Sequence, residues 1–246
     1  MTNPLYDALF APHEDKTTPF LHLEDGTTIS HGTFLEHVGK TANALQMLSV
    51  QAGDRVAVHV TKSPQALALY AACIQSGAVF LPLNTAYTPR ELEYFIGDSG
   101  AVLFVCDPDE ETELYPIASK AGATLKTLGP DGKGSLTDIV ETQQTLFQTC
   151  SRNADDLAAL LYTSGTTGRS KGAMLTHANL LSNAEALLAA WQFTQEDVLL
   201  HALPIFHSHG LFVATNVMLL SGGSMIFLPK FDLETALTQL PHATTM

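Results

Sequence analysis

Positive charge is scarce in this chain of 246 residues: 12 lysines and arginines stand against 25 aspartates and glutamates, a formal net charge of -13. No basic stripe is available to displace phosphate counterions, so non-specific nucleic-acid binding is not expected. An anionic ligand would also be repelled at long range. Salt screens that repulsion over about 8–10 Å, so the groups inside a pocket decide whether an anion binds. Cysteine is sparse too. Cys73, Cys106 and Cys150 are odd in number and share no C-x-x-C spacing, which predicts reduced, buried thiols and a cytoplasmic setting. The opening MTNPLYDALFAPHED lacks a basic stretch followed by an apolar one, so no secretory signal is expected. Between Val198 and Pro229 there is no Asp, Glu, Lys or Arg, long enough to cross a bilayer. His201, His207, His209, Pro204, Asn216 and the Gly222–Gly223 pair interrupt it, so a buried strand–loop–helix–strand unit is the better reading.

What remains is ordinary globular composition, 46% apolar and 15% charged. A chain of this length forms one large domain or two modest ones and buries roughly three-quarters of its unfolded surface. Short apolar runs alternate with helical runs, which predicts an α/β fold with layered, largely parallel sheets and flanking helices. RVAVHV (55–60) reads as a strand, followed by Ser63 as helix cap, Pro64 at the first helical position and a stop at Gly77. AVFLPL (78–83) is the next strand. Thr88, Pro89 and Glu91 then form a capping box, and AVLFVC (101–106) closes a second strand–helix–strand unit.

Residues 107–154 are less clear, with a turn-rich loop at 129–135 and a helix expected from Asp138, followed by an acidic linker. LAALLYT (157–163) is again a strand, GAMLT another, and Thr176 caps an amphipathic helix. VLLHALP (198–204), a helical segment after Gly210 and SMIFLP (224–229) complete a further unit. The expected organisation is two interleaved α/β subdomains within 1–246, with a boundary near 150–157.

The densest chemistry lies in LLYTSGTTGRSKGAMLTH (160–177). A glycine-rich turn points several backbone N–H groups one way and lets an anion approach without Cβ clashes. Hydroxyls on Thr163, Ser164, Thr166, Thr167 and Ser170 add donors, and Lys171 brings a mobile point charge suited to shifting phosphate oxygens. The Walker A rule fails, because Gly165 and Gly168 are three apart and Lys171 is followed by Gly172. The dinucleotide fingerprint fails as well, and a strand rather than a helix follows the turn. A flexible Ser/Gly linker is the bland alternative; the bracketing apolar strands argue against it.

From Thr163 to Gly172 the sequence resembles the phosphate-loop signature of the adenylate-forming enzymes: acyl-CoA synthetases, peptide-synthetase adenylation domains and luciferases. Ser170 stands where many members carry Pro, and GRSKGA looks most like the malonyl-CoA synthetase branch. ALYAACIQSGAVFLPLNTAYTPRELEYFIGDSGAVLFV (68–105) resembles the N-terminal segment of that family, and LPIFHSHGLFVATNVMLLSGGSMIFLPKFD (203–232) its acyl pocket. The resemblance implies that a carboxylate is joined to ATP, releasing pyrophosphate, and that CoA then displaces AMP to give a thioester. It implies that Thr163, Ser164, Gly165, Thr166, Thr167, Gly168 and Lys171 hold the ATP phosphates with Mg²⁺ bridging them, Arg169 being the least secure member. It puts His207 at the acyl carboxylate and α-phosphate, with His209 and Gly210 lining the same pocket. Zinc on His207, His209 and His201 is unconvincing, since His201 lies on the preceding strand.

Malonate or methylmalonate is the substrate so implied. Another small or aromatic acid is the alternative, and a non-catalytic nucleotide-binding module is a reading of a different class. A dicarboxylate needs a cation for its second charge, most naturally an arginine. No arginine follows Arg169, so that partner is expected outside this sequence. Members of the family continue for about as long again, through adenine, ribose and Mg²⁺ sites and a small domain with a catalytic lysine. The 246 residues alone are therefore expected to turn over little or nothing, and to show apolar faces prone to association.

Overall fold

The computed structural model describes residues 2–163 and 170–246. It starts with α1 (Pro4–Leu9), β1 (Pro19–His22), β2 (Thr28–Ser30) and α2 (His31–Met47). An alternating run follows: β3 (Arg55–His59), α3 (Pro64–Ser76), β4 (Val79–Pro82), α4 (Pro89–Ser99), β5 (Leu103–Cys106), α5 (Glu111–Ala121) and β6 (Thr124–Thr127). After α6 (Ser135–Val140) come β7 (Leu157–Thr163), β8 (Lys171–Thr176) and α7 (His177–Trp191). β9 (Val198–His201), a π-helical stretch (His209–Thr215), α8 (Asn216–Ser221), β10 (Ser224–Phe227) and α9 (Leu233–Gln239) end the order.

Among the described residues, ten strands make two sheets. The larger has the order β6-β5-β3-β4-β7-β8 and is parallel except for β8; the smaller, β2-β1-β10-β9, is parallel except for β2. The α/β class with largely parallel strands is as expected. The two sheets interleave in sequence: 19–30 and 198–227 build one, 55–176 the other, and residues 150–157 lead into β7 of the larger sheet.

Period-2 alternation explains why the larger sheet is covered on both faces. Val56, Val58, Leu103 and Val105 point into the main core with α2 and α3, while Ala57, Phe104 and Cys106 face the second core under α4 and α5. α3 is buried from Ala66 to Gln75 without a break, as befits a helix apolar all round. Its core also contains Phe20 and Leu21 of β1 and Met225 and Phe227 of β10, so one apolar interior joins both sheets. Ser63 accepts from the Ala66 N–H, and Gly77 turns left-handed at φ 76° to end the helix. At α4 the backbone N–H and hydroxyl of Thr88 both donate to Glu91 (2.8 and 2.7 Å).

The helix expected from Asp138 onward ends at Val140. Tertiary contacts take over the backbone groups beyond it. Asn43 on α2 donates to the carbonyls of Gln144 and Leu146 (2.9 Å each), and the Cys150 N–H donates to Gln75 O. The strand of coil lies so close that a Cβ on Gly39 would sit 1.8 Å from Thr145 O. Cys73 and Cys106 are buried thiols as expected, whereas Cys150 is only half-buried. Among the described residues no helix is long and apolar enough to cross a membrane.

α3 also reaches the second sheet's helix through the buried Tyr70 hydroxyl, which donates to Asn216 Oδ1 at 3.1 Å. Replacing Tyr70 by Phe strands that oxygen in the core, and urea denaturation is expected to show a loss of about 1–3 kcal/mol. An unchanged midpoint would show that the contact does not tie the sheets together.

Candidate functional site

Two places carry chemistry: the open end of the β7–β8 hairpin, and a cleft beside β9. In the hairpin, pairing runs from Leu157 opposite Thr176 to Thr163 opposite Lys171. That register brings Thr163 and Lys171 face to face where the loop leaves the sheet. Both are exposed. The strand after the turn is therefore real, and its antiparallel return separates this loop from the strand–turn–helix phosphate loops. Ser164, Gly165, Thr166, Thr167, Gly168 and Arg169 lie outside the described residues.

The hairpin is fixed against α4. Tyr94 donates to Ser170 O (3.1 Å), and Tyr162 donates to Asp98 Oδ2 (2.6 Å). The rings of Phe95 and Tyr162 pack with centroids 4.4 Å apart. Lys171 makes no ion pair among the described residues.

The cleft has a volume of about 1090 Å³ and is lined by Lys62, His201, Phe206, His209, Val213 and Phe231 among others. His209 thus faces it. His207 stands exposed beside the Phe206 ring, 4.8 Å between centroids, and is not among the lining residues. Gly210 is buried beneath the surface, where its carbonyl accepts from His201 Nε2 (2.8 Å) and Thr215 Oγ1 (3.0 Å). A Cβ there would lie 2.2 Å from Pro204 O, so only glycine lets the π-helical stretch pass this closely. π-helical turns concentrate at functional sites, and this one carries His209. Thr163 and Lys171 are not part of the cleft wall.

Sequence reasoning missed Lys62. It follows β3, is only 6% exposed, and its Nζ lies 2.7 Å from His201 Nδ1 and 2.8 Å from His201 O. Because the carbonyl of Gly210 can only accept, His201 carries its proton on Nε2, and Nδ1 is the acceptor for Lys62. The Phe227 ring lies 4.1 Å from the Lys62 nitrogen. Burial pushes Lys62 down to about 6; burial and then the lysine charge push His201 down to about 3. Nothing local in VTKSPQ marks this lysine, since its partner is 139 positions away.

The protein buries further neutral imidazoles: burial holds His31 and His177 at about 4 each. Their folded pKa values, like that of His201, lie below the ordinary 6.5, so the unfolded chain binds more protons in acid. Stability from these groups is complete above about pH 6.5 and is lost progressively as pH falls toward 4. Urea titrations at pH 7, 5.5 and 4.5 are expected to show a loss of about 1–3 kcal/mol per histidine. His177→Gln is expected to flatten that slope, and a slope unchanged by it would remove His177 from the account.

Against known proteins, the AMP-binding enzyme family matches residues 10–245. Feruloyl-CoA synthase of an Amycolatopsis species is 34% identical over 229 residues, covering 93% of this chain and 44% of that protein. A malonate–CoA ligase of Arabidopsis thaliana is 33% identical over 184 residues, 74% of this chain and 30% of that protein. Among solved structures, apo and ATP-bound MatB from Rhodopseudomonas palustris superpose with a TM-score of 0.96, at 51% and 52% identity, covering 99% of this chain and 48% of theirs. The chain thus spans less than half the length of each of these proteins. A family match that takes in both sheets, the hairpin and the cleft leaves one assignment: this chain belongs to the AMP-binding enzyme family.

Proposed function

We propose that this chain supplies the phosphate-holding hairpin and one side of the acyl pocket of an ATP-dependent acid–CoA ligase acting on malonate or methylmalonate. The observation that carries it is the register placing Thr163 opposite Lys171 at the mouth of a Ser/Thr/Gly-rich loop. The 33% identity to a malonate–CoA ligase of Arabidopsis thaliana supports the malonate reading. A carboxylate oxygen of the acid attacks the α-phosphorus of ATP, the bond to the bridging oxygen breaks, and pyrophosphate leaves with the electron pair. The CoA thiol then attacks the acyl carbon, loses its proton, and AMP departs. A carboxylate is already a nucleophile, so the residues position and stabilise charge and need not activate a hydroxyl.

In this reading Thr163, Ser164, Gly165, Thr166, Thr167 and Gly168 donate to the β- and γ-phosphates, and Lys171 follows the negative charge as pyrophosphate departs. His207, outside the cleft wall but beside the cleft-lining Phe206, orients the acyl carboxylate, while His209 lines the cleft and Gly210 lies buried beneath it. Mg²⁺ is the customary partner of such phosphates. Among the described residues no cluster of three His, Cys, Asp or Glu side chains stands ready to hold it.

A second reading has its own support. Similarity to feruloyl-CoA synthase extends over 93% of the chain, and a 1090 Å³ cleft would admit an aromatic acid. Carboxylate-dependent ATP–pyrophosphate exchange by the full-length protein separates the two. Malonate and methylmalonate are expected to support exchange at least tenfold better than acetate, benzoate or ferulate. A preference for ferulate would favour the aromatic reading; no exchange with any acid would favour a non-catalytic nucleotide-binding module. Lys171→Ala removes one charge-assisted contact and is expected to lower kcat/KM for ATP on the order of 10–100-fold. Unaltered kinetics would remove the hairpin from the mechanism.

A further inference from the structure

Lys62 is a buried base without a counter-charge. Among the described residues no carboxylate pairs with it. Asp197 lines the same cleft, but its carboxylate is taken up by the Thr194 N–H and hydroxyl and by the Thr244 hydroxyl. The other titratable side chains on the cleft wall are those of His201, His209 and Lys230, none of them acidic. A lone ammonium out of water is costly, and proteins keep such groups where something compensates them.

We propose that Lys62, steadied by His201 and Phe227 at the cleft wall, meets the second carboxylate of a short dicarboxylic acid and thereby selects dicarboxylates over monocarboxylates. This rests on the acid–CoA ligase reading given above. The donor count supports it. As an amine, Nζ has two N–H bonds, and both are used on His201 Nδ1 and O; its lone pair would then face an incoming carboxylate. As an ammonium it has a third N–H with no oxygen or nitrogen acceptor among the described residues; the Phe227 face lies 4.1 Å from Nζ, and a carboxylate in the cleft is the stronger partner. An anion here therefore binds with a proton, and the pairing offsets the burial that otherwise keeps Lys62 neutral at pH 7. His201 sets the direction of the amine by fixing two of its bonds. In this proposal a lysine within the chain takes the part expected of an arginine from beyond it.

The full-length protein tests this with Lys62→Met, which keeps the length and removes the charge. If wild type prefers malonate to acetate, the variant is expected to lose on the order of 100-fold in kcat/KM for malonate and much less on acetate, so that the preference for malonate falls at least about tenfold. An equal fall on both acids would make Lys62 a structural strut and overturn the proposal while leaving the malonate reading intact. A wild type with no preference for malonate sinks both. A measurement on wild type stands independent of how the variant folds: calorimetry at pH 8 in two buffers of different ionisation enthalpy, with a non-hydrolysable ATP analogue present. Malonate is expected to take up a proton on binding and acetate none; malonate binding without proton uptake overturns the proposal.

Discussion

The contact between Lys62 and His201 is the point on which the two sheets and the cleft converge. Lys62 sits between β3 and α3, belonging to the larger sheet's side; His201 ends β9 of the smaller sheet. His201 in turn holds the Gly210 carbonyl at the start of the π-helical stretch that carries His209 to the cleft. Three polar groups from different parts of the chain are thereby satisfied in a row, in a setting where an unpaired group would cost about 1–3 kcal/mol. Only the lysine lacks an acidic partner among the described residues, and it borders the cavity. A fold that wanted nothing but adhesion at this junction could have used an apolar pair of similar volume.

The rest of the interior is arranged so that this junction can be rigid. α3 is buried on every side and packs on α2, β4 and, through Tyr70, on α8. Its cap at Ser63 is the residue next to Lys62, so the first turn of the helix fixes the lysine backbone. Close backbone approaches serve the same end. Gly39 admits the coil at Thr145, and Gly210 admits Pro204, each where a Cβ would collide with a carbonyl oxygen.

The hairpin is built differently. β7 joins the larger sheet beside β4, but β8 is an edge strand whose residues Lys171 to Met174 are exposed. Aromatic contacts with α4 and two tyrosine hydroxyls hold it in place. Loops on rigid scaffolds commonly carry binding groups for this reason: the sheet fixes the ends and leaves the intervening amides to the ligand.

Local sequence by itself determined the elements with strong caps and clean periodicity. Ser63-Pro64, Thr88-Pro89-Glu91 and Thr176 each announced a helix start, and the apolar runs at 55–60, 78–83, 101–106 and 157–163 each became a strand, because caps and alternation act over a few residues. α2 is equally legible in Ser30 followed by Phe34, Leu35, Val38, Ala42 and Leu45. It also determined that Thr163 and Lys171 bracket a polar, glycine-rich turn. Only the tertiary structure decided that 141–156 is coil, because Asn43 captures its carbonyls; that 19–30 pairs with 198–227; that His209 faces the cleft while His207 stands outside it; and that Lys62 is buried against His201. Partners and burial depend on residues a hundred or more positions away, and no local pattern encodes them.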